Sequence, residues 1–339
     1  MINADNDSDV LTLSPYGLYC PAGDFYVDPK GSVKRALITH AHSDHARSGH
    51  DNYLCSNACH PFLKLRLGKK AKIESIPFGK KRKVGEAMVS FHPAGHILGS
   101  AQIRVEVSGR VFVFSGDYKP DRDRTCEEFE PVKCHCFISE CTFGLPVYRW
   151  QPEETVFSQI NQWWAGNSRD GRPSIVFAYS LGKAQRVLAG LDPEIGRIFL
   201  HPAAYQFLEP YAKAGIVLPA AEKVEKGKPA DFSGSIVIAP PAVEESGWAR
   251  AFPDCRKSLV SGWMLIRGQR RRRNLDQGFV LSDHADWDGL VKCIASTEAE
   301  SILLTHGNGD ALARFLCEKG MNVGILEKHI WSKARGGRQ

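Results

Sequence analysis

The run Thr39-His40-Ala41-His42-Ser43-Asp44-His45 puts three imidazoles and a carboxylate within six consecutive residues, 40 to 45. Nitrogen and oxygen donors at this density suit a borderline transition metal, and they suffice to start two neighbouring ion sites. In an extended segment His40 and His42 fall on the same side. Asp44 and His45 lie where the chain is expected to turn into a helix running toward Leu54. The plain alternative is a polar loop with incidental histidines, but packing does not account for four metal-capable side chains at this spacing.

Such a cluster needs scaffolding, and the surrounding sequence reads as a series of apolar strands that end in a histidine or an acid. Arg35 to Thr39 is a strand leading into the cluster. Asp28 closes the β-forming run Asp24 to Asp28 just before Pro29, where it could either cap a turn or orient a ligating histidine. Ala87 to His92 runs into a turn in which His96 stands between Gly95 and Gly99, glycines that permit a sharp bend. Val111 to Phe114 releases Asp117 after Ser115-Gly116, and Cys136 to Ser139 ends at Glu140. Much later, Gly278 to Leu281 leads to His284 and Ser301 to Thr305 leads to His306. Each acid alone has a capping role available. Together the strand ends predict convergence on one place.

These residues resemble the motifs of metallo-β-lactamase-fold hydrolases: His40-x-His42-x-Asp44-His45, His96 in Gly-His-Ile-Leu-Gly-Ser, Asp117 in Ser-Gly-Asp, and the strand-end Asp28. Glu140 in Ser-Glu-Cys-Thr-Phe-Gly, with Tyr179-Ser-Leu-Gly-Lys183-Ala-Gln-Arg186, resembles the β-CASP branch of nucleic-acid nucleases. Ser261-Gly-Trp-Met264, Arg267-Gly-x-Arg270-Arg271 and Ser282-Asp-His284 look most like bacterial ligase-associated DNA exonucleases. The resemblance implies an α/β metallo-β-lactamase αββα sandwich with an inserted β-CASP-like α/β cap. Residues 1–149 would open the metallo-β-lactamase domain, 150–274 would form the cap, and 275–339 would return to the first domain. A substrate cleft would run between them. The alternating strands and helices of 150–270 independently read as a small parallel α/β unit.

The resemblance also implies roles. His40, His42 and His96 would hold one divalent ion, Asp44, His45 and His306 the other, with Asp117 bridging. Zinc suits this imidazole-rich set, and manganese can occupy mixed nitrogen and oxygen sites. Two such ions can activate water and clamp an in-line phosphoryl transfer. Asp44, His284 and Glu140 are the catalytic candidates, with His284 backed by Glu140 as general acid to the leaving oxygen. Asp28 would support a ligand from behind.

Charge points the same way. The chain carries a net +6, unevenly spread: Lys64 to Lys83 holds a dense basic stretch, Arg267 to Arg273 a second, and Lys333 to Arg338 a third. Basic runs usually mark a solvated face, but three beside a metal motif suggest a polyanionic substrate. Lys183, Arg267, Arg270, Arg271 and Arg272 are the expected phosphate-backbone contacts. Trp263 and Phe143 either stack on a base or pack in the core. The ten cysteines show no finger-like pairing of Cys55-x-x-x-Cys59 or Cys134-x-Cys136, which favours buried thiols over a structural zinc.

No apolar run could span a bilayer and the polar start is unlike a secretory signal, so a cytoplasmic protein without a membrane partner is expected. The function this predicts is a two-metal DNA exonuclease in repair or end processing. An RNA-processing nuclease with the same site is the first alternative, and a histidine at the position of His306 resembles that branch. A small-ester or thioester hydrolase and a catalytically silent nucleic-acid-binding subunit are the others. A DNA ligase or helicase partner is implied by the resemblance alone.

Overall fold

The computed structural model describes residues 10–225, 231–244, 246–266 and 275–327. It is an α/β protein of three sheets, dividing into two compact units: 1–149 with 284–339, and 150–283.

The first unit holds two mixed sheets. β1 (Thr12–Ser14), β2 (Gly17–Cys20), β3 (Phe25–Val27), β4 (Arg35–Leu37), β5 (Asn52–Ser56) and β6 (Ile73–Ile76) form one in that order, antiparallel to β3 and parallel beyond it. β7 (Arg82–Val84), β8 (Ala87–Pro93), β9 (Ala101–Val107), β10 (Arg110–Phe114) and β11 (Cys136–Glu140) belong to the other, which β18 (Ser301–Thr305) and β19 (Val323–Ile325) complete in parallel beside β11. Alternate residues of both sheets meet in one core: Phe25, Val27, Leu37 and Leu54 from the first, Phe91, Ile103, Val105, Phe114 and Ile138 from the second. The period-2 alternation that fills this core turns the opposite residues of the second sheet outward. There Val113, Phe137 and Leu304 pack against two helices, α6 (Trp287–Ser296) and α7 (Asp310–Glu318). Helix α6 starts where Asp286 caps it, its Oδ1 accepting from the Gly289 amide at 2.8 Å.

The segment after His45 forms one turn rather than the expected helix. Ala46 N–H donates to the His42 carbonyl at 2.8 Å, but the turn does not propagate. Gly49 adopts φ +98°, and the apolar run Tyr53-Leu54-Cys55 is taken into β5 between β4 and β6. Helix α1 (His60–Leu67) follows.

The second unit is built on an all-parallel sheet ordered β14 (Glu222–Lys223), β13 (Ile198–Leu200), β15 (Ile236–Ala239), β12 (Ser174–Phe177), β16 (Arg256–Val260), β17 (Gln277–Phe279). Helix α2 (Glu153–Arg169) carries a stripe of Val156, Phe157, Ile160 and Trp164 at near-helical spacing onto one sheet face. Each of these side chains contributes about 1.5–3 kcal/mol by leaving water. Helix α3 (Lys183–Ala189) joins it on that face, while α4 (Pro202–Tyr205) and α5 (Leu208–Lys213) are short. The sequence puts the return to the first unit at residue 275. Because β17 pairs in register with β16, the structure keeps 275–283 with the second unit. Among the described residues no helix is long and apolar enough to cross a membrane.

Candidate metal centre

Seven of the strand-end residues meet within the first unit. His40 and His42 follow β4, His96 stands in the β8–β9 turn, Asp117 follows β10, Glu140 ends β11, His306 follows β18, and His45 closes the loop after β4. His40 Nε2 and His96 Nε2 each lie 3.1 Å from His42 Nδ1. Asp117 Oδ2 stands 3.6 Å from His40 Nε2 and 3.7 Å from His96 Nε2. It is also 3.5 Å from His45 Nε2. The same carboxylate therefore belongs to two donor groups, His40-His42-His96-Asp117 and His45-Asp117-His306.

Hydrogen bonds behind the cluster fix which nitrogens face it. The Asp28 carboxylate accepts from the Thr39 amide at 2.9 Å and from the Thr39 hydroxyl at 2.6 Å. Having given its only proton to Asp28, the Thr39 hydroxyl must accept at its 3.0 Å contact with His40 Nδ1. His40 is thereby protonated on Nδ1 and turns a lone pair on Nε2 toward the cluster. His45 Nδ1 lies 2.8 Å from Asp28 Oδ2 and so donates to it. Its Nε2, fully buried, has no hydrogen-bond partner. One carboxylate thus sets the tautomer of two histidines. Asp28 holds φ +41° to do so, a left-handed conformation that Asp tolerates better than most residues.

Whether these donors fit metal ions follows from the same geometry. Four donors on a tetrahedral zinc, each about 2.0–2.1 Å from it, lie roughly 3.3 Å apart. In the first group His42 stands 3.1 Å from His40 and His96, Asp117 stands 3.6 and 3.7 Å from the same two, and all four donors lie within 4.8 Å of one another. Converging nitrogen lone pairs and an orphaned buried nitrogen are costly without a cation among them. Electrostatics agree. Burial and the neighbouring His45 charge press the His40 pKa well below its ordinary value. At His45 the loss from burial is outweighed by Asp117 and Asp28, which raise it well above. Burial would lift the Asp117 carboxyl, but His45 and His284 hold it well below the usual carboxylate range. These shifts keep His40 neutral and Asp117 ionised at neutral pH, whereas His45 must give up its Nε2 proton as a cation takes that place.

Glu140 is 2% exposed and its two oxygens sit 2.8 and 3.0 Å from His284 Nδ1. The Tyr118 amide donates to the same carboxylate at 2.8 Å, and the Thr142 hydroxyl donates as well. Just beyond His284, the Ala285 amide is held by the Tyr118 carbonyl at 2.7 Å. Asp117, Glu140 and His284 form a third donor group sharing the central carboxylate. The His284 ring lies 4.8 Å from that of His96, and Phe143, buried, meets its edge at 5.9 Å.

Other sequence expectations fare differently. Asp44 is largely exposed and approaches the cluster only through a 3.7 Å contact with His45 Nε2. His306 is exposed and left-handed at φ +53°, its ring stacked 5.2 Å from His45. Lys183 does not present itself to a phosphate backbone: it is buried, donating to the Leu281 carbonyl and paired with Asp283, both at 3.0 Å. Arg186 shares Asp283 at 3.0 Å and is held by Glu153 from the other side. Arg267, Arg270, Arg271 and Arg272 lie outside the described residues. Trp263 is 42% exposed. Cys55, Cys59, Cys134 and Cys136 are buried thiols. Thr39 and Ser100, whose hydroxyl accepts from the His96 and Ile97 amides, were not singled out by sequence. Their adjacency to the cluster and to Gly-Ser was the available signal.

No family model matches the chain. Among curated proteins it is 32% identical over 310 residues to a probable DNA ligase of Opitutus terrae, covering 91% of this chain and 30% of that protein. It is 28% identical to cleavage and polyadenylation specificity factor 73 of Drosophila melanogaster, over 57% of this chain and 29% of that one. It is 24% identical to endoribonuclease YSH1 of Mycosarcoma maydis, over 84% and 42%. The chain therefore spans less than half the length of each of these relatives. A solved structure from Enterococcus faecalis V583, of a protein of unknown function, matches 81% of this chain and 76% of its own with a TM-score of 0.57 at 13% identity. That likeness is one of fold.

Proposed function

We propose that this chain, a relative of the nucleases of the metallo-β-lactamase superfamily's β-CASP branch, hydrolyses phosphodiester bonds in nucleic acid. The observation that carries the proposal is the Asp117 carboxylate, shared by two histidine-rich donor groups and adjoined by the His284–Glu140 pair. His40, His42 and His96 would hold one divalent ion and His45 and His306 the other, with Asp117 between them and Asp44 at the exposed edge. Bound there, divalent ions lower the pKa of water and offset charge on phosphoryl oxygens, with zinc best suited to these donors. In this reading the first unit is an αββα metallo-β-lactamase domain and 150–283 its inserted β-CASP cap.

The protein's own residues supply the remaining steps. Glu140, buried, accepts from His284 Nδ1; an acceptor carboxylate in that place favours the imidazolium and aims its Nε2–H outward from the pair. His284 then gives that proton to the departing strand oxygen, and Glu140 holds the ring in place throughout. Asp28 and Thr39 keep His40 and His45 in the tautomers that present Nε2.

DNA is the proposed substrate, supported by similarity along most of the chain to a probable DNA ligase, and stepwise removal from an end is the proposed mode. RNA is the second reading, supported by the endoribonuclease relatives and by His306. Matched end-labelled DNA and RNA strands, incubated with zinc or manganese, discriminate the two. Loss from one end of DNA alone agrees with the proposal, and preferential cutting of RNA transfers it to the second reading. A leaving-group series tests the acid: His284→Ala should be slowed about 10²–10⁴-fold on nucleic acid, far less on a p-nitrophenyl diester whose leaving group needs no proton. Equal slowing on both would remove His284 from that role.

A further inference from the structure

The loop that carries His40, His42 and His45 also walls a cleft that contains none of the residues of the metal centre. The cleft, about 540 Å³, is lined by Lys30, Ser32, Ser43, Arg47, Ser48 and Arg66, with Ala46 and Leu67 among its apolar parts. Three cations thus converge from three segments: the turn after β3, the turn after His45, and the last turn of α1. All three are exposed, and none makes an ion pair among the described residues. Arg47 reaches only the Lys30 carbonyl, at 3.4 Å. Arg66 donates its Nε–H to the carbonyl of Ala41, the residue between His40 and His42, which uses one of the five N–H donors of its guanidinium. Where its inner atoms are covered against Ala41 the Arg66 pKa is lowered, and the Asp44 charge opposes that.

Helix α1 alone does not explain this. Cations in a last helical turn offset the helix dipole, which accounts for Lys64 and Arg66 but not for Lys30 and Arg47, which are outside the helix. Three like charges gathered beside three hydroxyls repel one another unless an anion joins them. Guanidinium groups with serine hydroxyls match the tetrahedral oxygens of a phosphate. From the cleft the basic surface continues past α1 through Lys69 and Lys70, both exposed.

We propose that this cleft holds a phosphate of the nucleic-acid strand other than the one being cleaved, so that the strand lies along the outer flank of the metal loop toward α1. The proposal rests on the nucleic-acid reading above. Its ligand is a phosphate monoester or diester, from either a strand end or an internal linkage.

The test uses the full chain with its metal bound and a phosphorothioate-backboned single strand, to suppress cutting. Binding is followed by fluorescence anisotropy across a salt series. Lys30→Gln with Arg47→Gln should weaken binding several-fold and flatten the dependence of log K on log salt by about 0.7 per lost contact. Arg47→Lys should restore most of the slope. Ser48→Glu, which puts a carboxylate among the cations, should weaken binding independently. Metal content should stay at the wild-type value in each. Comparison of 5′-phosphorylated with 5′-hydroxyl strands gives the source: a loss confined to the former assigns a terminal phosphate, an equal loss an internal one. If the wild type binds and cuts while these variants bind with unchanged affinity and slope, the cleft assignment is overturned and the nuclease reading stands. If the wild type binds no strand at all, both fall.

Discussion

Asp28→Asn is the substitution most informative about how the histidines are prepared. In the structure Asp28 accepts from the Thr39 amide, the Thr39 hydroxyl and His45 Nδ1. An asparagine has one oxygen and one amino group to place there. The Thr39 amide can only donate, so the oxygen must face it and the amino group must face His45 and the Thr39 hydroxyl. Now offered a donor, His45 Nδ1 becomes the acceptor and its proton moves to Nε2, the atom that faces the cluster. The Thr39 hydroxyl, accepting from the asparagine, can pass its own proton to His40 Nδ1 and reverse that ring as well. Partners behind metal-bound histidines are typically worth 10–100-fold in metal affinity, roughly 1.4–2.8 kcal/mol at about 1.4 kcal/mol per decade. With two rings affected, the upper end is expected. Asp28→Gly is the control. It keeps the φ +41° backbone without strain, removes both oxygens and with them all three hydrogen bonds, and leaves both tautomers free. Competitive chelator titration should rank metal affinity as wild type, then Asp28→Gly, then Asp28→Asn. Side-chain volume favours asparagine over glycine, so the opposite ranking would refute the tautomer argument.

Other expectations follow from the same structure. Asp283→Asn removes the charge facing Lys183 and Arg186, both buried, and should cost about 3–5 kcal/mol in denaturant unfolding; a loss below about 1 kcal/mol would mean that the cations are well solvated. Metal at 100 times its dissociation constant should stabilise the chain by about 2.7 kcal/mol, read as a rise in Tm that a chelator reverses. An unchanged Tm would argue against the converging nitrogens as a metal site. Burial pushes the Cys134, Cys141 and Cys293 thiols up to about 12, so at pH 8 a maleimide or disulfide reagent should modify exposed Cys317 first. Labelling of Cys141 at the rate of Cys317, read by peptide mapping, would contradict that burial.

The residues that gather around Asp117 were legible because most of them follow apolar strands, β4 in one sheet and the mutually parallel β10, β11 and β18 in the other, whose ends share one edge. Asp28 was legible only as one of two roles, since its second partner, His45, lies 17 residues on. Lys183 shows the limit more clearly. A lysine beside a Gly-rich turn reads as a phosphate contact, and nothing local reveals that Asp283, a hundred residues later, neutralises it. The helix expected after His45 failed for a related reason. Tyr53-Leu54-Cys55 fits either a helix or a buried strand as a pattern, and the parallel pairing with β4 and β6 decided. Arg66 belonged to a basic run that the sequence reads as a solvated face or, beside a metal motif, as a sign of a polyanionic substrate, without marking Arg66 itself as a contact. Its bond to the Ala41 carbonyl and the cleft it shares with Lys30 and Arg47 arise from tertiary proximity alone.

The central claim is tested most directly by measuring strand cleavage and metal content together, on the wild type and on Asp117→Ala. The account predicts that the metal-loaded wild type cuts a nucleic-acid strand, and that Asp117→Ala loses both bound metal and cutting. A wild type that carries metal yet leaves DNA and RNA intact would contradict it.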